Sequence, residues 1–269
     1  MQFKKDILSS PANPKVKRII SLRRPEWRKK SQTFIIEGYP ELKQALTSAV
    51  SVSEVYFYPA FFTQGDEPVI LAQAKKRGAA LFEVNARVYE RISFGKRKEG
   101  ILAIARQLKI SLDGLKLKDN PLFVVLEQIE KPGNLGAVIR TADAVGVDAV
   151  IACDSATDIY NPNVVRSSLG ALFTTPVISL EAQKTISWLK VRNIKIICAT
   201  VGAELIYTSV NFKQPCAIVL GSEENGLSLR WRESSDYQVG IPMQGKVDSL
   251  NVSVAAGVIL FEALRQRMN

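Results

Sequence analysis

Histidine is absent from the 269 residues of this chain. That excludes the Ser-His-Asp and Cys-His mechanisms and the common histidine metal sites. Any chemistry must use Arg, Lys, Asp, Glu, Tyr, Ser or Asn, or a cofactor with its own reactivity. Cysteine is scarce: Cys153, Cys198 and Cys216 sit in or beside apolar runs and form no Cys-x-x-Cys pair. They read as small buried hydrophobes, and no metal is expected. No uninterrupted apolar run reaches the roughly 20 residues needed to span a bilayer, so no membrane partner is expected. MQFKKDILSS starts basic but carries no apolar segment, which predicts no signal peptide and a cytoplasmic protein.

Acidic residues are also short. Asp and Glu number 26 against 36 Lys and Arg, a net charge of +10. The excess points to an anionic partner such as nucleic acid, although a solvated basic surface would look the same. It is concentrated in residues 1–30, where Lys4, Lys5, Lys15, Lys17, Arg18, Arg23, Arg24, Arg28, Lys29 and Lys30 face only Asp6 and Glu26. Of these, Lys15, Lys17, Arg18, Arg23, Arg24 and Arg28 are the expected RNA contacts. Arg87, Arg91, Lys96, Arg97 and Lys98 form a second cluster.

The pattern divides the chain into residues 1–108, a polar linker over 109–120, and residues 121–269. In the first part Asn13 and Pro14 open a helix. QTFIIEG, VSEVYFY, LFEVN and GILAIARQ read as strands, with PELKQALTSA and EPVILAQAKKRG as helices, a small α/β unit. In the last part the apolar runs LFVVLE, DAVIACD and PCAIVLG alternate with helical segments. This predicts a parallel sheet with helices on both faces.

Ligands of such sheets bind beyond the C-terminal strand ends. Three stretches there carry residues a core does not require. QIEKPGNLGAVIR allows a tight turn into a helix that Asn134 can cap, with Arg140 within the helix or merely on its surface. GSEENG brings Gly221 and Gly226 around acidic residues after a buried strand. IPMQGKVDSLNVS runs into a final helix that Ser249 or Asn251 can cap. The Gly-x-Gly-x-x-Gly of a nicotinamide-dependent oxidoreductase is missing.

In order and form these stretches resemble the three signature motifs of the SpoU (TrmH) family within the SPOUT superfamily. Asn134 and Arg140 match the first, Gly221, Glu223 and Gly226 the second, and Ser249, Leu250, Asn251 and Ser253 the third. SSPANPKVKRIISL, FIIEG and EGILAIA resemble the family's N-terminal substrate-binding domain. FGKRKEG departs from the Gln-Gly that members often carry there.

The resemblance implies an RNA methyltransferase that moves a methyl group from S-adenosylmethionine to a ribose 2′-hydroxyl. Ribosomal RNA is favoured over transfer RNA because of the separate N-terminal domain; a non-catalytic RNA-binding protein is the alternative. It also implies a C-terminal trefoil knot and a homodimer. Thr200, Gly221, Ile241 and Leu250 are expected to hold the cofactor. Arg140, Asn134, Glu223, Ser249 and Asn251 are expected to shape or perform the catalysis.

Overall fold

The computed structural model describes residues 7–94 and 99–268. Lys4, Lys5, Lys96, Arg97 and Lys98 of the two basic clusters lie outside the described residues. The chain divides into two compact units, residues 1–109 with 160–174, and residues 110–159 with 175–269.

The first unit begins with helix α1 (Pro14–Ser21), where Asn13 accepts from the Lys15 N–H at 2.9 Å and Pro14 occupies the first turn. Helix α2 (Pro25–Ser31) follows, then β1 (Thr33–Glu37), α3 (Tyr39–Thr47), β2 (Val52–Phe57), α4 (Glu67–Lys76), β3 (Ala80–Glu83), α5 (Ala86–Ile92) and β4 (Ile101–Arg106). The sheet order is β1-β4-β2-β3, with β4 antiparallel to both neighbours and β2 parallel to β3. Val16, Ile19, Ile35, Tyr56, Val88 and Ile104 belong to its core. The sequence pattern missed α2 and α5, both too short to show a helical period.

The second unit contains β5 (Leu122–Glu127), α6 (Pro132–Val145) and β6 (Ala149–Cys153). Residues 160–174, with α7 (Pro162–Ser167), then join the first unit. Tyr160 and Phe173 lie 4.7 and 5.9 Å from the Phe34 ring, and the Tyr160 hydroxyl accepts from Leu108 N–H. These residues read as part of the C-terminal half because their pattern is that of any βα segment; only long-range packing reassigns them. The unit resumes with β7 (Val177–Leu180), α8 (Ala182–Val191), β8 (Lys195–Ala199), β9 (Leu205–Ile206), β10 (Cys216–Leu220), α9 (Leu229–Ser234), β11 (Tyr237–Gly240) and α10 (Val252–Met268).

Its seven strands run in the order β7-β6-β5-β10-β8-β11-β9, every pair parallel. All residues of β5, β6 and β10 are buried, as two-sided covering requires. Phe123, Val125, Ala217 and Val219 pack with Trp188 of α8 and Trp231 of α9. The alternate residues point the other way, toward the side of α6 and α10, which pack on each other.

The segment predicted as a linker is instead part of this packing. Leu112 is buried in the same cluster, with Ile110, Leu115 and Leu117 against it. Asp113 accepts from Trp188 Nε1 at 2.9 Å and Arg192 Nη2 at 3.0 Å. Polar composition hid a one-sided apolar pattern. No described helix is long and apolar enough to cross a membrane.

The three cysteines are free and buried. Burial pushes the Cys153 and Cys198 thiols up to about 12 and raises Cys216 as well. At neutral pH the reactive thiolate is therefore suppressed. A thiol reagent is expected to leave all three unlabelled in the native protein and to label all three in urea; rapid native labelling, read by mass spectrometry, would contradict the packing.

Candidate active site

The C-terminal ends of β5, β10, β8 and β11 lie side by side in the second unit, and their loops enclose a cavity of about 980 Å³. Thr200 follows β8, Gly221 follows β10, Ile241 follows β11, and Leu250 precedes α10. All four line the cavity. The structure thus brings together the four residues expected to hold the cofactor. Val201 and Ile206, which the sequence reading did not single out, also line it with 71% and 45% of their surface open. They offer an apolar flank of the kind a flat heterocycle covers.

The loop after β10 doubles back tightly. Gly226 N–H donates to Ser222 O at 3.0 Å, and Asn225 N–H donates to Ser222 Oγ at 3.1 Å. A Cβ on Gly221 would lie 2.2 Å from the Gly226 carbonyl carbon and oxygen, so only glycine permits this approach. Glu127, the buried last residue of β5, anchors the far end of the loop. Its carboxylate accepts from Ser228 N–H at 2.8 Å and Ser228 Oγ at 2.7 Å. The signal for it is a charged residue closing an otherwise apolar buried strand. Glu127→Ala is expected to cost on the order of 3 kcal/mol, because two hydrogen bonds to a charged acceptor are lost. Urea denaturation measures this; an unchanged midpoint would remove Glu127 as the anchor.

The three motifs meet at one carboxylate. Glu223 Oε1 accepts from Asn134 Nδ2 at 2.6 Å and Asn251 Nδ2 at 2.7 Å, and Glu223 Oε2 pairs with Lys131 Nζ at 2.9 Å. Asn251 Nδ2 also approaches Asn134 Oδ1 at 3.3 Å. Asn251 Oδ1 caps α10, accepting from Ser253 N–H and Ser253 Oγ. The Glu223 carboxylate raises the Lys131 ammonium above its ordinary value. Lys131 went unnoticed in the sequence because a lysine before proline has no distinguishing pattern.

Two expectations need correction. Asn134 does not cap α6: the cap position is Lys131, and Asn134 lies inside the first turn with its amide turned to Glu223. The carboxylate outcompetes a local backbone donor because it is charged. Ser249 lines the cavity but caps nothing; its hydroxyl donates to Asp248 Oδ1 at 3.1 Å. Arg140 is not drawn into the Glu223 cluster. It is exposed, with no hydrogen-bond or ion-pair partner among the described residues. Six residues beyond Asn134, it lies about 9 Å further along the helix and on a different face.

The residues expected to grip RNA divide sharply. Lys17 and Arg24 are exposed, and Lys15 lies over the Phe82 ring at 4.4 Å. Arg18 pairs with Glu54 at 2.6 Å. Arg23 is half-buried, and Nη2 donates to the carbonyls of Arg91, Ile92 and Ser93 at the end of α5. Arg28 is a correction: only 1% of it is exposed, and Nη1 donates to Leu22 O at 2.8 Å. Its guanidinium is turned into the protein, so it fastens α2 and does not reach phosphate.

Residues 121–261, spanning the parallel sheet and all three loops, match the SpoU rRNA Methylase family. The chain belongs to that family. Residues 13–103 match the MRM3-like substrate binding domain. Among family relatives, the chain is 36% identical over 243 residues to a 23S rRNA (guanosine-2′-O-)-methyltransferase RlmB of Ralstonia nicotianae, covering 88% of this chain and 97% of that one. A crystal structure of an RNA 2′-O ribose methyltransferase superposes with a TM-score of 0.87 at 35% identity, covering 98% of this chain and all of the other. An AdoMet-bound rRNA methyltransferase from Sinorhizobium meliloti superposes with a TM-score of 0.88 at 26% identity over 97% of each chain. The sequence-based expectation of an S-adenosylmethionine-dependent RNA 2′-O-ribose methyltransferase on a parallel α/β sheet therefore holds.

Proposed function

We propose that this chain methylates a ribose 2′-hydroxyl of ribosomal RNA in the cytoplasm. The observation that carries the reading is the meeting of Asn134, Glu223 and Asn251 at the rim of a cavity lined by Thr200, Gly221, Ile241 and Leu250. S-adenosylmethionine fits these residues: glycine permits close backbone approach, and apolar side chains flank the space. Bound there, it supplies an already activated methyl group.

The chain's own residues then have two tasks, to place the ribose oxygen in line and to ease loss of its proton. Placement alone is worth up to about 7–11 kcal/mol in favourable cases. Glu223 is committed to Lys131, Asn134 and Asn251, so it braces the site and is not a free base. Arg140, exposed and without a partner among the described residues, orients the phosphate and favours the oxygen as it becomes anionic. Ser249 and Asn251 line the pocket and shape it. The first unit, with its exposed Lys17 and Arg24, supplies salt-sensitive grip on the phosphates.

Mapping 2′-O-methylation across total RNA with the gene present and deleted tests the reading. One ribosomal position is expected to lose its methyl group. Loss confined to transfer RNA would move the substrate, and no loss anywhere would refute the activity.

The enzyme is further proposed to be a homodimer through α10. Val254 and Phe261 are each about half exposed and stand seven residues apart, two turns along one face. Light scattering at low micromolar concentration is expected to report about twice the 29.7 kDa chain mass. A fully active monomer would rule this out.

A further inference from the structure

Tryptophan is rarely left in water, and two of the three here are not. Trp188 and Trp231 are buried, whereas Trp27 on α2 keeps 44% of its surface open. Its surroundings are cationic. Lys30 Nζ stands 5.5 Å from the Trp27 ring centroid. Arg24, Lys29 and Lys30 are exposed and have no ion-pair partner among the described residues. Lys30 lies three residues after Trp27 on the same stripe of the helix, and Arg24 stands at the helix cap three residues before it.

The helix that presents this stripe is held firmly. Arg28, buried one residue beyond Trp27, donates to Leu22 O, and the Arg28 carbonyl accepts from Gln107 Nε2 at 3.3 Å. The chain then reverses through Gln32 in the left-handed region, φ 52°. The buried guanidinium thus fixes one side of α2 while its neighbour is turned outward.

We infer that α2 is a stacking platform for one unpaired RNA base, with Trp27 as the aromatic face and Arg24 and Lys30 on the flanking phosphates. The inference rests on the reading of RNA as substrate and adds the form that RNA takes at this surface. Every base has a π-face that an indole can cover, so the platform is tolerant of sequence. A duplex hides those faces, so the ligand is single-stranded, a loop, bulge or end. Glu26 is the one acidic residue of α2, against exposed Lys29 and Lys30 on the helix and Arg24 at its cap, and this cationic excess favours a polyanion over an acidic-and-basic protein surface.

Trp27 reports on its own occupancy, because it is the exposed fluorophore of the three. The full-length protein is titrated with a short single-stranded oligouridylate and with a blunt duplex RNA, alongside Trp27→Ala and Trp27→Phe. Saturable quenching by the single strand, weak or absent with duplex and lost in both variants, is expected. The Ala variant should bind the single strand on the order of 5- to 150-fold more weakly, with Phe in between. S-adenosylmethionine affinity should be unchanged in both. Equal single-strand binding by Trp27→Ala, or equal quenching by duplex, would overturn the platform. Methyl transfer to ribosomal RNA by the same wild-type preparation separates the two ideas. Transfer with an unresponsive Trp27 defeats the platform alone, whereas quenching without transfer to any RNA defeats the proposed function.

Discussion

Replacing Arg140 with alanine is expected to lower the single-turnover rate of methyl transfer by about 100- to 1,000-fold while S-adenosylmethionine affinity stays within a few-fold. The two readouts separate because Arg140 does not line the cavity that the cofactor residues enclose. It is an exposed cation on α6 with no ion-pair partner among the described residues, close in sequence to Asn134 but on a different face. A fixed positive charge acts most strongly where negative charge develops during reaction, here the ribose oxygen. Such a contribution amounts to about 3–4 kcal/mol in comparable sites. Arg140→Lys should recover little, because an ammonium lacks the planar fork that holds a phosphate and a hydroxyl together. Stability should hardly change, since the side chain is exposed. Saturating RNA removes any binding defect from the comparison. An alanine variant that turns over at the wild-type rate under those conditions would take Arg140 out of the chemistry.

Gly221→Ala is expected to weaken S-adenosylmethionine binding by about 100-fold or more and to depress methyl transfer with it. The added Cβ would stand 2.2 Å from the carbonyl carbon and oxygen of Gly226 and 2.5 Å from Leu227 N, all backbone atoms. Backbone cannot swing aside as a side chain does, so the loop must move by about an ångström, a displacement that costs on the order of 100-fold at a preorganised site. The same loop carries Glu223, so its movement would also pull the carboxylate from Asn134 and Asn251. Gly245→Ala is the control: nothing lies within 4 Å of its Cβ position. Calorimetry, with circular dichroism to verify folding, measures both. Wild-type cofactor affinity in Gly221→Ala would mean that the loop after β10 does not shape the pocket.

Much of the architecture was legible before any coordinates. The apolar stretches of LFVVLE, DAVIACD and PCAIVLG had no polar face to offer water, which announced strands covered on both sides, and all three lie within one parallel sheet. Asn13 before Pro14 marked a helix start that the structure reproduces bond for bond. The four residues expected around the cofactor do line one cavity. These features are local, or they follow from rules about where parallel sheets place their ligands.

What tertiary structure alone decided is who meets whom. Asn134 and Glu223 are 89 residues apart, and Asn251 lies a further 28 along. Their convergence depends on β10 lying beside β5, an order that hydrophobic pattern does not encode. The same holds for residues 160–174, which join the first unit through Tyr160 and Phe173. Charge was equally mute about Arg28. A basic run predicts a field around the protein, but whether one guanidinium faces solvent or carbonyls depends on which acceptors the fold brings within reach. Sequence therefore determined which residues are apolar, helical or capable of chemistry. Strand order and packing decided which of them touch, because a hydrogen bond between distant segments is set by distance and angle.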